Sequence, residues 1–356
     1  MTKPEPILEA VDVKVHIPAA GGRTIRALDG VSLALHPGEI VALVGESGSG
    51  KTTMARVFSL IYKATSGEVR YQGQPLQRVS RRRERAYYND VQLIFQDPFA
   101  SLNALKKISY ILGRAIRIHQ VAAGARAVRA TVLDLLERVH LTPAESYIDR
   151  YPTDMSGGQR QRIAIARSLS MEPRVILADE PTSMLDASIR LSVLNLLDDL
   201  RRERGIAVLY ITHDIASARY LSDRINVMYG GVIVESGPTE QVVSDPRHPY
   251  TELLLSAAPD PARYKGSGRS VQLDITNANP VDNTVEHRGC RFVDRCPKAM
   301  EKCADASPEL ITFGDRQAAC WLVGQDTLVT GRSQQPKSSQ PSRGSGDPHP
   351  SKETSA

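Results

Sequence analysis

The run Gly45, Glu46, Ser47, Gly48, Ser49, Gly50, Lys51 and Thr52 fits the pattern G-x-x-x-x-G-K-[ST] in full. It constrains the fold more than any other feature, because the pattern works only between a buried strand and a helix. Both neighbours are there. The apolar stretch from Glu39 to Val44 reads as a strand, and Thr52 to Ile61 reads as a helix. Such a P-loop cradles phosphates. Its glycines let backbone N–H groups close around the anion, Lys51 neutralises the β and γ charges, and the Thr52 hydroxyl suits Mg²⁺. Thr53 follows on the first turn of the helix and joins the nucleotide-binding set.

The surrounding chain agrees with an α/β unit. Residues 5–260 alternate short β-type runs with helix-period segments, which argues for a mainly parallel sheet flanked by helices. The apolar run Val175 to Ala178 ends at Asp179 and Glu180, so a parallel strand would deliver both carboxylates to the ligand edge of the sheet. Residues 105–170 are rich in helix formers and read as a helical subdomain. Ser188 to Arg204 carries Val193, Leu197 and Leu200 on one helical face and stops at Gly205, and the strand Ile206 to Ile211 follows.

With 356 residues, 41% hydrophobic and 24% charged, the chain can bury a large core, and it exceeds the usual single domain, so an appendage is expected. The formal net charge of +5 selects no partner. No stretch approaches the about 18 apolar residues of a membrane span, and the first residues lack a signal pattern, so a cytoplasmic chain is the expectation. From residue 333 to 356 the chain is Ser, Pro, Gly, Lys and Gln with little to bury, and disorder is expected.

A P-loop alone covers kinases, GTPases, helicases and transporters, so its companions must decide. Met155, Ser156, Gly157, Gly158 and Gln159 precede a helical stretch, which puts Ser156 and the glycine amides at a helix N-terminus, a natural seat for a γ-phosphate. At this point the chain resembles the ABC ATPase family, whose signature usually begins with Leu where this chain has Met155. The resemblance implies that Asp179 holds Mg²⁺ through water, that Glu180 polarises the attacking water, and that Ser183 to Asp186 forms the D-loop. Gln96 matches the Q-loop, with a part in both the metal site and catalysis, and His213 matches the switch histidine. Singly, Gln96 reads as well as a surface amide, His213 as a core histidine, and Asp179 with Glu180 as a strand end without metal. Their joint order makes the case.

One departure concerns adenine. The family commonly stacks the base on an aromatic residue upstream of the P-loop, yet no Phe, Tyr or Trp precedes Phe58, and His16 or Ile17 takes that place. The basic run Arg78, Arg81, Arg82, Arg83 and Arg85 fits a solvated face better than a nucleic-acid site, and no nucleic-acid partner is expected.

Asp245 to Thr251, with Leu253 to Leu255, resembles the C-terminal extension of oligopeptide, dipeptide and nickel importer ATPases, as does Phe95 to Asn103. The resemblance spans roughly residues 7–322 and places the extension at 261–332. It implies an ATP-hydrolysing importer subunit, with peptides as the first expectation and nickel or oligosaccharide as alternatives. It further implies two transmembrane permeases, a second ATPase subunit, identical or different, and a solute-binding protein acting through the permeases. The location would be the cytoplasmic face of the inner membrane. A soluble ABC ATPase of DNA repair or translation would usually carry two ATPase halves or a long coiled coil, and this chain has one P-loop and no sustained heptads.

All four cysteines lie in that extension: Cys290, Cys296, Cys303 and Cys320. A reducing cytosol disfavours disulfides and leaves an iron–sulfur cluster, a zinc ion or free thiols. The lack of paired C-x2-C hooks and the Cys296-Pro297 step favour a [4Fe–4S] cluster over zinc.

Overall fold

The computed structural model describes residues 4–76, 80–97, 101–257 and 281–323. The tail expected to be disordered, the boundary at 260/261 and Arg78 of the basic run lie outside these residues. Two sheets organise the rest. The smaller is antiparallel, built from β1 (Leu8–Pro18), β2 (Thr24–Leu35), β4 (Ser66–Tyr71) and β5 (Gln74–Pro75) in the order β2-β1-β4-β5.

The larger sheet has β3 (Ile40–Val44), β6 (Val91–Ile94), β7 (Val175–Asp179), β8 (Ala207–Thr212), β9 (Arg224–Tyr229) and β10 (Val232–Pro238), with β11 (Ile311–Phe313) and β12 (Arg316–Ala318) at one edge. Its order is β11-β12-β10-β9-β3-β8-β7-β6, and β9, β3, β8, β7 and β6 run parallel. Every residue of β3, β7 and β8 is buried. The two-residue alternation explains why: Ile40, Ala42 and Val44 join the core shared with the helices, while Val41 and Leu43 join the core shared with the antiparallel sheet. A strand covered on both faces needs an unbroken apolar run, which is what the sequence shows.

Helices Ile108–Ile118, Ala125–Arg138, Glu145–Ile148 and Gly157–Leu169 form the helical region. Ile108, Leu112 and Ile116 recur every fourth residue and are fully buried against Val128, Val132 and Leu135. The helix Ala187–Arg204 ends at Gly205, whose φ of 65° is the left-handed conformation that terminates helices.

The C-terminal extension shares the main sheet. Strand β12 pairs antiparallel with β10, Glu235 opposite Ala318 and Ser236 opposite Gln317, and β11 pairs with β12. Glu235, with no exposed surface, anchors this join: it accepts from the Arg316 guanidinium at 3.0 Å and from the backbone N–H groups of Arg247 and His248 at 2.9 Å each.

Candidate active site

Strands β3, β8, β7 and β6 are neighbours, and their carboxyl ends deliver the P-loop, His213, the pair Asp179 and Glu180, and Gln96 to one edge. An open cleft of about 840 Å³ forms there. Gly45, Glu46, Ser47, Gly48, Gly50, Lys51, Thr52 and Thr53 line it together with Gln96, Glu180 and His213. Ser49 is buried behind the loop, where its carbonyl accepts from the Gly231 N–H at 2.9 Å.

Two glycines are there because nothing larger fits. A Cβ on Gly45 would overlap the Met228 carbonyl oxygen, and one on Gly50 would overlap the Ala27 carbonyl oxygen, with Gly50 also at φ 105°. Gly50 caps the helix Lys51–Phe58 without any side-chain hydrogen bond, so the first amides of that helix face the loop. Lys51 is buried, and its Nζ donates to the carbonyls of Gly45 and Glu46 at 2.8 Å each. Burial lowers its pKa, and the charges of Glu180, Asp179 and Glu46 oppose that shift.

The Thr52 hydroxyl donates to Asp179 at 3.1 Å. Burial raises the Asp179 carboxyl above its ordinary range, the Thr52 hydrogen bond pulls it back, and the Glu180 charge raises it again. A hydroxyl and a buried carboxylate oxygen side by side are the hard donors that Mg²⁺ takes, so these residues fit the ion. Beside them the Glu180 carboxylate is bracketed: Gln96 Nε2 donates to one oxygen at 2.9 Å, and His213 Nδ1 lies 3.2 Å from the other. The Glu180 backbone, at φ 46°, is pinned by its N–H donating to the Ile211 carbonyl at 2.9 Å. A carboxylate fixed by two polar side chains at the cleft wall can orient a water against a terminal phosphate.

The glycine-serine segment at 156–159 does not line this cleft. Ser156 caps the helix Gly157–Leu169 in a reciprocal box, its hydroxyl accepting from the Gln159 N–H at 3.3 Å while the Gln159 side chain accepts from the Ser156 N–H at 3.0 Å. Met155 is buried as the apolar anchor. Gly158 packs so closely on Ile189 that a Cβ would overlap its side chain, and Gly157 lies beside Leu185. The signature and the segment around Asp186, which is exposed at the start of the helix Ala187–Arg204, therefore pack together, and neither lines the cleft.

Of the two residues expected at the adenine position one lines the cleft, and other lining residues carry no motif signal. Ile17 lines the wall with Ile25, Ala27 and Leu254, whereas His16 turns its Nε2 to Asp29 at 3.5 Å. Tyr62 brings an aromatic ring to the cleft, with the Arg56 guanidinium 5.4 Å from its centroid. Asn283, from the extension, also lines the cleft.

The four cysteines line one enclosed cavity with His248, Phe292 and Trp321. Burial raises the thiols of Cys296 and Cys320, and pushes that of Cys290 up to about 11. Among the described residues, no group of three or more His, Cys, Asp or Glu is arranged to hold a metal ion. The expected metal therefore finds four converging thiols but no assembled ligand set. No helix among the described residues is long and apolar enough to cross a membrane.

The P-loop and carboxylate pair at the edge of the parallel sheet, with Gln96 and His213 on Glu180 and the capped Ser156 to Gln159 segment, match an ATP-hydrolysing cassette of the ABC type. Comparisons with known proteins agree and refine the class. The ABC transporter family model matches residues 28–183, and the model for the C-terminal region of oligopeptide/dipeptide transporters matches residues 234–303. The dipeptide transport ATP-binding protein DppF of Escherichia coli is 40% identical over 330 residues, covering 91% of this chain and 97% of the relative. The oligopeptide transport ATP-binding protein OppF of the same organism is 41% identical over 326 residues, covering 89% and 96%. Among solved structures, the dimeric post-hydrolysis state of the ATP-binding cassette MJ0796, bound to ADP and Pi, matches with a TM-score of 0.59 at 30% identity, covering 65% of this chain and 98% of that one. The chain belongs to the ABC transporter ATP-binding proteins, in the oligopeptide/dipeptide transporter family.

Proposed function

We propose that this chain energises the uptake of dipeptides or oligopeptides through two membrane-spanning permeases, bound at the cytoplasmic face of the inner membrane and fed by an external solute-binding protein. The observation that carries this reading is the match along nearly the whole length of peptide transport ATP-binding proteins, including their C-terminal region. Two ATPase subunits meet head to tail, so that ATP on the P-loop of one is covered by Ser156, Gly157, Gly158 and Gln159 of the other, with Asp186 at the same joint. The separation of that surface from the cleft, and the dimeric state of a similar cassette, support this arrangement.

Within the closed site each residue takes the role that its family motif implies. Lys51 and the loop amides hold the β and γ phosphates. Thr52 and Asp179, with Gln96 nearby, would hold Mg²⁺, which would supply positive charge beside the phosphates. Glu180 takes the proton of the attacking water, His213 holds water and γ-phosphate, and Gln96 couples the site to the permease.

The cofactor part of the proposal is a [4Fe–4S] cluster on Cys290, Cys296, Cys303 and Cys320, with zinc as the alternative. Convergence of four thiols on one cavity supports it. Elemental analysis of the anaerobically purified chain tests it, and a chain free of iron and zinc overturns it.

The transport reading is tested by detergent extraction of native membranes with this chain as bait, in the presence of ATP. Two permeases and a peptide-binding protein are expected. Recovery of ribosomes or DNA without any membrane protein would overturn import.

A further inference from the structure

The P-loop is held from outside by the C-terminal extension. Glu46 is tied at three points: its N–H donates to the Tyr250 hydroxyl at 2.9 Å, its carbonyl accepts from Lys51, and its carboxylate receives both terminal nitrogens of Arg295 at 2.7 and 2.8 Å. The Arg295 side chain is only 9% exposed. Its guanidinium lies 5.7 Å from the Tyr229 ring centroid and 5.8 Å from that of Phe292. A second tie runs from the Asn283 amide to the Gly48 carbonyl at 3.2 Å.

Arg295 immediately precedes Cys296, in the short turn Val293–Arg295. That turn is closed by the Val293 N–H donating to the Cys290 carbonyl at 3.1 Å and the Cys296 N–H donating to the Val293 carbonyl at 3.2 Å. The place of Arg295 therefore follows the backbone at Cys290 and Cys296, two of the four residues of the module. On the far side, Arg291 follows Cys290 and is bonded to Asp29 and the Gly230 carbonyl.

The charge at Glu46 makes the clamp matter. A carboxylate in a phosphate-binding loop has the wrong sign for its ligand, and it competes for Lys51. A bidentate guanidinium neutralises it and fixes its direction.

We propose that Arg295 is a positioning residue of the ATPase: by clamping Glu46 it keeps the first turn of the P-loop open to phosphate, so that ATP affinity depends on the arrangement of the four-cysteine module. The inference rests on the reading of Lys51 and Thr52 as the phosphate and Mg²⁺ site.

The test measures binding of a fluorescent ATP analogue with Mg²⁺ to the purified full-length chain, alongside KM and kcat for hydrolysis. Arg295→Ala should weaken binding about tenfold or more, the scale of a charged hydrogen-bonded pair. KM should rise by more than kcat falls. Arg295→Lys, which keeps the charge but not the fork, should lie between, and it carries the test if the alanine variant does not fold. In a Glu46→Gln background the loss caused by Arg295→Ala should shrink. Cys296→Ser should weaken ATP binding in the native background and add little to Arg295→Ala. An unchanged Kd in Arg295→Ala overturns the proposal, as does an equal loss with and without Glu46. Lys51→Ala separates the two levels: lost binding there with a silent Arg295→Ala sinks the clamp alone, while unchanged binding in Lys51→Ala sinks the phosphate-site reading as well.

Discussion

The nucleotide cleft and the four-cysteine module bring their reactive groups together by different means. In the cleft, four adjacent parallel strands do the work: β3, β8, β7 and β6 end side by side, and whatever follows each strand arrives at one edge. In the module there is little regular structure. Its cysteines sit on short turns and a five-residue helix, and its hold on the body combines the pairing of β12 with β10, the buried Phe292 ring and the ion pairs of Arg316 with Glu235, Arg295 with Glu46 and Arg291 with Asp29. The cleft inherits its geometry from a sheet buried on both faces, whereas the module is tied to the edge of that sheet by one short strand pairing and a few side chains. Substitutions in the cleft should thus change chemistry and leave the fold, whereas substitutions where the extension joins the sheet at Glu235 should change stability first.

The sharpest test of the first half is Glu180→Gln. The amide can keep hydrogen bonds to Gln96 and His213 but cannot take a proton, so turnover should fall by about 10²–10⁴ while ATP binding persists. Phosphate release and nucleotide binding on the same preparation check it. Retained hydrolysis would remove Glu180 from the role of base, and a lowered melting temperature would break the claim that the cleft is independent of the fold.

The opposite result is expected at Glu235. Its carboxylate has no exposed surface, and Glu235→Ala takes an acceptor from the Arg247 and His248 backbone N–H groups and leaves the 8% exposed Arg316 with Asp245 as its remaining carboxylate partner. Breaking a buried pair from one side costs about 3–5 kcal/mol. Denaturant unfolding should show that loss, with hydrolysis per folded molecule little altered. A variant as stable as the native chain would mean that the extension docks by its strand pairing and apolar contacts without help from this ion pair.

The same division governs what is legible in the amino-acid sequence. The P-loop, Asp179, Glu180 and His213 can be read there because each follows an apolar run, and an apolar run covered on both faces has to be an inner strand. The helix Gly157–Leu169 announces itself by its capping box, and the Ala187–Arg204 helix by its final glycine. Arg295, Tyr250 and Asn283 carry no such signal, since a contact across 204 to 249 residues of sequence leaves no periodicity. The closeness of Arg295 to Cys296 is the one available hint. Tyr62 escapes notice for a related reason: the family pattern directs attention upstream of the P-loop, and the ring on the cleft wall comes from the turn after the P-loop helix. Sharing of the main sheet by β11 and β12 is equally hidden, because three-residue strands carry too short an alternation to detect.

The smallest effect expected on the module side concerns acid. His248 is 1% exposed, its Nδ1 accepts from the Tyr250 N–H at 3.1 Å, and its ring lies 5.9 Å from that of Phe292. Burial pushes its pKa down to about 4 from the ordinary 6.5. Between those values the unfolded chain binds a proton that the folded chain refuses, so stability is whole above about pH 6.5 and falls as the pH drops toward 4. At pH 5 the loss attributable to this group is about 2 kcal/mol. His248→Asn keeps an acceptor for the Tyr250 N–H and has nothing to titrate, so its melting temperature should decline less than that of the native chain between pH 7 and pH 5. The cleft offers the control: Glu180→Gln should follow the native acid profile. If His248→Asn loses stability as steeply as the native chain, the buried imidazole does not sense acid, and the ion pairs of the extension must carry the pH dependence instead.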